Sequence, residues 1–138
     1  GTTVMLQCAR EAGVKRFIYS STSSAYGNNP YPNVETQPDD CLNPYSASKA
    51  ALAVWARSLA QSFGTSRKRI NIVAPGFVDT DILAGDSAEK RAARIQEVPL
   101  KRIGTPDDIA GTVSFLVSED SKYITGTVIH VNGGLYLP

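Results

Sequence analysis

The 138-residue sequence is short of several things, and each shortage excludes something. It has almost no charge imbalance: 14 Lys and Arg stand against 13 Asp and Glu, for a formal charge of +1. Holding a nucleic-acid backbone takes a dense positive field, and the run Arg67-Lys68-Arg69 is too short to supply one. Following Gly64 and Ser66, it reads as a solvated turn ahead of a strand. Cysteine is scarce. Cys8 and Cys41 have no CxxC spacing and no secretory segment ahead of them, so reduced thiols in a cytoplasmic setting are expected, with no metal. His130 is the only histidine and lies in an alternating run, as a structural or strand-end residue would. No apolar run approaches the length that crosses a bilayer. Gly-x-Gly-x-x-Gly, Gly-x-x-x-Gly-x-Gly and the Walker lysine motif are all missing. The usual glycine turn that seats a pyrophosphate on a helix N-terminus is therefore not written in these residues.

What is present suits a soluble globular chain. Hydrophobic residues make up 42% and charged residues 20%, while 11 Gly and 8 Pro imply many connections. The length suits one domain, residues 1–138, with a real core.

Read in order, Val4, Met5, Cys8, Ala9 and Ala12 recur at helical spacing, and Gly13 is a C-terminal stop. Val14 to Ser20 reads as a short strand, without the strict alternation of a sheet that has one wet face. The hydroxyl run Ser20 to Ser24 follows at its carboxyl end, where open α/β sheets collect ligands; by itself such a run is equally a capped turn. Gly27 to Asn43 has no firm period and is the length of a lid or binding loop, or else of a disordered segment. A long helix is expected from about Pro44 to Phe63. Its heavy stripe of Leu52, Trp55, Leu59 and Phe63, with small alanines alongside, suits a core or a subunit interface. Ile70 to Ala74 is a second buried strand, ended by the sharp turn Pro75-Gly76. Ser87 can cap a short helix that breaks at Val98-Pro99. Thr105-Pro106-Asp107-Asp108 combines an N-cap, an N1 proline and an acidic N3 residue, and Ile109, Val113, Leu116 and Val117 then keep helical spacing. Thr127 to Val131 is the third strand, and Asn132-Gly133-Gly134 turns out of it.

The fold expected from this order is α/β: an incomplete Rossmann-like three-layer sandwich with a short parallel sheet of about three strands and right-handed crossovers. So small a sheet leaves an edge open, and open edges invite pairing with another chain. A homo-oligomer is expected, a dimer first.

The chemistry centres on Pro44-Tyr45-Ser46-Ala47-Ser48-Lys49. Tyr45 and Lys49 are four apart, on one helical face, separated by one turn. A phenol beside an ammonium can be a proton donor at a pH where a lone tyrosine cannot. Chance places such pairs on many helix surfaces, so the spacing alone makes no site.

With these motifs together, the chain resembles the short-chain dehydrogenase/reductase superfamily. Residues 1–44, with Val14 to Thr22 and Ala25-Tyr26-Gly27, look like the extended nucleotide-sugar epimerases and dehydratases. Residues 45–138 look like the classical branch, especially 3-oxoacyl-carrier-protein reductase, through Tyr45 to Lys49, Ile70 to Thr80 and Ile124 to Gly134. A seam near residues 44–50, and hence a chimeric or truncated C-terminal half, is one account of this mixture. The resemblance implies NAD or NADP as cofactor. It makes Tyr45 the catalytic acid/base, with Lys49 lowering its pKa and binding the nicotinamide ribose. Thr22 becomes the hydroxyl that orients the substrate oxygen. Ser20, Ser21, Pro75, Gly76, Phe77, Val78 and Thr80 become cofactor contacts. The family's glycine-rich turn and adenine pocket have no counterpart in these residues, so inefficient catalysis by this stretch alone is expected. An NAD(P)-dependent oxidoreductase or epimerase completed by a partner subunit, and an engineered or relic self-assembling scaffold, are the alternatives.

Overall fold

The architecture is decided by a central strand whose side chains are buried on both faces. Arg69–Pro75 (β2) shields Ile70, Asn71, Ile72, Val73 and Ala74 completely, which only an inner strand covered above and below can do. In this computed structural model residues 2–20 and 44–136 are described, apart from the side chains of Thr2, Thr3, Leu6, Gln7, Arg10, Tyr45 and Ser46. Helix α1 (Thr2–Glu11) leads to β1 (Arg16–Ser20); α2 (Pro44–Gly64) leads to β2. Then come α3 (Ala88–Glu97), α4 (Pro106–Val117) and β3 (Val128–Val131). The described strands form one parallel sheet in the order β1-β2-β3. Phe17 pairs with Ile70 and Ser20 with Val73, while Ile72 pairs with Val128 and Pro75 with Val131.

Side chains alternate across a strand, so Ile70 and Ile72 share one face of β2 while Arg69 and Asn71 share the other. The first face meets α2. Tyr19, Ala56, Ile70 and Ile72 form the buried cluster there, with Leu52, Trp55, Leu59 and Phe63 packed against it. The heavy stripe of α2 is thus a core seam against the sheet. The second face meets the end of α4. The Arg69 guanidinium donates to the carbonyl oxygens of Leu116 at 2.9 Å and Ile124 at 3.1 Å, and Asn71 donates to Ile124 O at 3.0 Å. Burial holds the Arg69 pKa below its ordinary value, with Arg16 adding to the effect.

The two covering helices lie on opposite faces while the strand order advances one way. The β1-α2-β2 and β2-α4-β3 crossovers therefore have opposite hands, which corrects the expectation that both are right-handed. Carbonyl bonds from Arg69 and Asn71 fix the chain leaving α4 on its own face.

Local chemistry sets the element ends. Gly13 takes φ +71°, which only glycine adopts cheaply, and lets Val14 N donate to Ala9 O at 2.9 Å to close α1. The Ser87 hydroxyl accepts from Lys90 N to cap α3, and Thr105 with Asp108 forms a full capping box on α4. Strand β1 begins at Arg16 rather than Val14, and β2 reaches through Pro75 instead of stopping before it. A proline is tolerated there because the next amide supplies the bond: Gly76 N donates to Val131 O at 3.1 Å. Val4, Met5 and Cys8 of α1 are exposed, Cys8 is a free thiol, and Cys41 lies outside the described residues.

Candidate active site

Because the sheet is parallel, all three strands deliver their carboxyl ends to one edge. Ser20, Pro75-Gly76 and Val131-Asn132 meet there. The first turn of α2 reaches the same edge. Lys49, half-buried in that helix, donates from Nζ to Ser20 O at 2.8 Å, and its ammonium stands 5.0 Å from the centre of the Tyr19 ring. A helix residue and a strand-end carbonyl far apart in sequence are thus tied at the point where the hydroxyl run begins. Tyr45 occupies the first turn of α2, one turn ahead of Lys49. Its side chain, and Ser21 and Thr22 entirely, lie outside the described residues.

At the centre of the edge the backbone is crowded. A Cβ on Gly76 would sit 2.8 Å from both Cα and Cβ of Asn132, so the end of β2 and the turn after β3 touch backbone to backbone. Asn132 is in turn locked in place, donating to Tyr136 O at 2.9 Å and accepting from Gly134 N at 3.0 Å. Beyond Gly76, residues 77–80 run beside Gly104. Phe77 O accepts from Gly104 N at 2.9 Å, Asp79 N donates to Gly104 O at 2.8 Å, and Val78 bridges Gly104 in parallel. Thr80 is exposed and its hydroxyl lies 3.4 Å from Val78 O. A single 3-10 turn at Asp81–Leu83 follows, pinned by the buried Leu83.

Two ion-pair groups that sequence reasoning missed brace this edge. From α3, Arg91 donates to the Asp79 carboxylate at 2.8 Å, while Arg94 donates to Asp86 at 2.7 Å and lies 4.6 Å from the centre of the Phe77 ring. Lys90 also meets Asp86, at 2.7 Å, and the Asp86 side chain is only 6% exposed. Hydrogen bonds from Lys90 and Arg94 hold its carboxyl below the usual carboxylate range. At the start of α4, Arg102 forks onto both oxygens of Asp108, at 2.7 and 2.8 Å. That fork, with the Thr105 amide and hydroxyl, holds the Asp108 carboxyl well below its ordinary value. The acidic and basic residues are visible in the sequence, but only the fold shows which of them meet.

Of the residues singled out from sequence, the structure brings Ser20 and Lys49 into contact and sets Pro75, Gly76, Phe77, Val78 and Thr80 along the neighbouring strand's exit. Chemically, this edge offers an ammonium, a backbone carbonyl, an exposed hydroxyl and a closely braced loop. Among the described residues no group of His, Cys, Asp or Glu could hold a metal, and no helix is long and apolar enough to cross a membrane.

Comparison with known proteins places this geometry. A family model described as "Enoyl-(Acyl carrier protein) reductase" matches residues 35–136. The 3-oxoacyl-[acyl-carrier-protein] reductase MabA of Mycobacterium bovis is 45% identical over 91 residues, covering 66% of this chain and 37% of that protein. The reductase FabG of Escherichia coli is 42% identical over 93 residues, covering 67% of this chain and 38% of that one. The solved structure of a 3-oxoacyl-[acyl-carrier protein] reductase from Brucella melitensis superposes with a TM-score of 0.77 at 27% identity, covering 96% of this chain and 46% of that one. The chain thus spans less than half the length of each of these relatives. By the family match over most of its residues, by its relatives and by its fold, the chain belongs to the short-chain dehydrogenase/reductase superfamily.

Proposed function

We propose that these 138 residues form the nicotinamide-facing, proton-transferring half of an NAD(P)-dependent short-chain reductase, and that this stretch taken alone lacks efficient catalysis. The observation that carries the reading is the Lys49 contact with Ser20 O at 2.8 Å, which joins the Tyr-x-x-x-Lys helix to the hydroxyl-bearing strand end. The residues present fit the nicotinamide end of the cofactor: an ammonium at the exit of β1, and the loop from Gly76 to Thr80 at the exit of β2. NAD(P)H supplies the hydride when bound. In this reading Tyr45 would give a proton to the substrate oxygen, Lys49 would keep that phenol acidic enough to do so near neutral pH, and Thr22 would orient the carbonyl. The relatives' substrates make a 3-oxoacyl thioester the first class to try.

The weak point is affinity. Without a glycine turn for the pyrophosphate, the adenine end gains little, and displacement of the reacting atoms by about 1 Å can cost roughly 100-fold in rate. A seam near residues 44–50 belongs to the same proposal. So do a cytoplasmic setting and a homodimer; the dimer is supported by the exposed Val4 and Met5 of α1 and Val54 of α2.

The test is reduction of an acetoacetyl thioester by the 138-residue chain with NADH or NADPH, beside Tyr45→Phe. Equal, background-level rates are expected. Turnover clearly above the Tyr45→Phe level would refute the inactive half and favour a working enzyme assembled from two copies. Titration with both dinucleotides separates these readings further, because a completed nucleotide site would bind them far more tightly than nicotinamide mononucleotide.

A further inference from the structure

Helix α3 touches the proposed cofactor loop through two arginines, and their contacts are unlike ordinary surface pairs. Arg91 and Arg94 are three apart, so they leave the same face of the helix. Arg91 reaches back twelve residues to Asp79 at 2.8 Å and also to Leu83 O at 3.4 Å. Arg94 reaches eight residues back to Asp86, whose side chain is almost fully covered, while its guanidinium lies 4.6 Å from the centre of the Phe77 ring. Between them the two side chains grip the loop at Phe77, Asp79 and Asp86. Thr80 lies inside the gripped segment and is exposed. Its hydroxyl approaches Val78 O at 3.4 Å, too long for a firm bond.

The Arg91 and Asp79 side chains are 33% and 53% exposed, so their pairing contributes little to overall stability. Their geometric effect is larger. The planar fork of arginine fixes direction as well as distance, and stacking on Phe77 fixes the ring that begins the loop. We infer that Arg91 and Arg94 are positioning residues, which hold the loop from Phe77 to Thr80 in the conformation that receives the nicotinamide group. This rests on the nicotinamide reading above. It adds that α3, which contributes no residue to that site itself, controls how well the site binds.

The experiment is a titration of the isotope-labelled 138-residue chain with reduced nicotinamide mononucleotide, followed by amide chemical shifts. Arg91→Gln, Arg94→Gln and Arg91→Lys are titrated alongside the unaltered chain. The expected result is that Gly76 to Asp81 amides shift in the unaltered chain, and that each glutamine variant weakens binding on the order of tenfold, with Arg91→Lys, which keeps the charge without the fork, restoring only part of it. Amides of Ile72, Val73 and Ile129 keep their shifts and exchange rates in every variant, while those of Asp79, Leu83 and Asp86 exchange faster in the glutamine variants. Unchanged affinity in both glutamine variants overturns the inference and leaves the nicotinamide site standing. No response of the unaltered chain at any ligand concentration removes the nicotinamide site, and the inference with it. If a glutamine variant fails to fold, Asp79→Asn and Asp86→Asn release the same grips from the loop side, and unchanged affinity there overturns the inference equally.

Discussion

Replacing Gly76 by alanine tests the crowding at the centre of the strand edge. The added methyl would lie 2.8 Å from Cα and Cβ of Asn132 and 3.1 Å from its carbonyl oxygen. Carbon atoms rest at about 3.5–4.0 Å, so the end of β2 and the turn after β3 must part by roughly 0.7–1.2 Å. Neither side is free to move. Gly76 N is bonded to Val131 O, and the Asn132 side chain is held at both ends by Tyr136 and Gly134. Overpacking of this kind costs about 1–3 kcal/mol, and weakening the Gly76 amide bond adds about 1 kcal/mol. The smaller entropy of an unfolded alanine returns about 0.4–1 kcal/mol. The net loss is about 2 kcal/mol, or roughly 6–10 °C in melting temperature at this chain length.

Gly111→Ala is the matched control, because nothing lies within 4 Å of the place its added methyl would take and it sits inside α4. It should gain about 1 kcal/mol from helix propensity. Urea titrations of both variants by far-ultraviolet circular dichroism read the difference directly. A Gly76→Ala protein as stable as the unaltered chain would refute the backbone contact. A Gly111→Ala loss as large as the Gly76→Ala loss would show that any added methyl is resented, and crowding against Asn132 would no longer be the cause.

Three further outcomes are expected. Ile72→Ala removes a fully buried side chain from the face under α2 and should cost about 2–5 kcal/mol, seen as a lower urea midpoint. Thr105→Ala deletes half of the capping box on α4 and should cost about 1 kcal/mol in the same assay. The Asp108 carboxyl has a lower pKa folded than unfolded, so the unfolded chain binds more protons on acidification. Its contribution is therefore complete above the unfolded value of 3.8 and is lost as pH falls toward the folded value. Stability followed from pH 5 downward should decline less steeply in Asp108→Asn, and an unchanged slope would count against the Arg102 fork.

What could be read from the sequence divides by distance along the chain. Thr105 to Asp108 is legible as a helix start because every group in the capping box lies within four residues, and the Ser87 cap and the Gly13 stop are equally local. Tyr45 and Lys49 are legible because helical spacing alone puts them on one face. Local composition makes Arg69 part of a solvated turn, whereas it is the fork that holds the carbonyls of Leu116, Ser118 and Ile124. Nothing within ten residues of Arg69 announces those partners. The Leu52 to Phe63 stripe is ambiguous between core and interface until Ile70 and Ile72 are seen beneath it. Opposite crossover hands also lie beyond reach, since they depend on which face of β2 each helix covers.

The fork at Arg69 has a consequence for how this part of the protein can vary. Together with Asn71 and Thr125, it clasps the chain where it leaves β2's first residues and where it returns toward β3. Everything from Gly76 to Tyr123 is therefore a loop with a fixed neck. Substitutions at outward positions such as Ile82, which is 89% exposed, can thus reshape what the strand edge recognises while the sheet below stays in register, so this clasp is a natural base for new specificity.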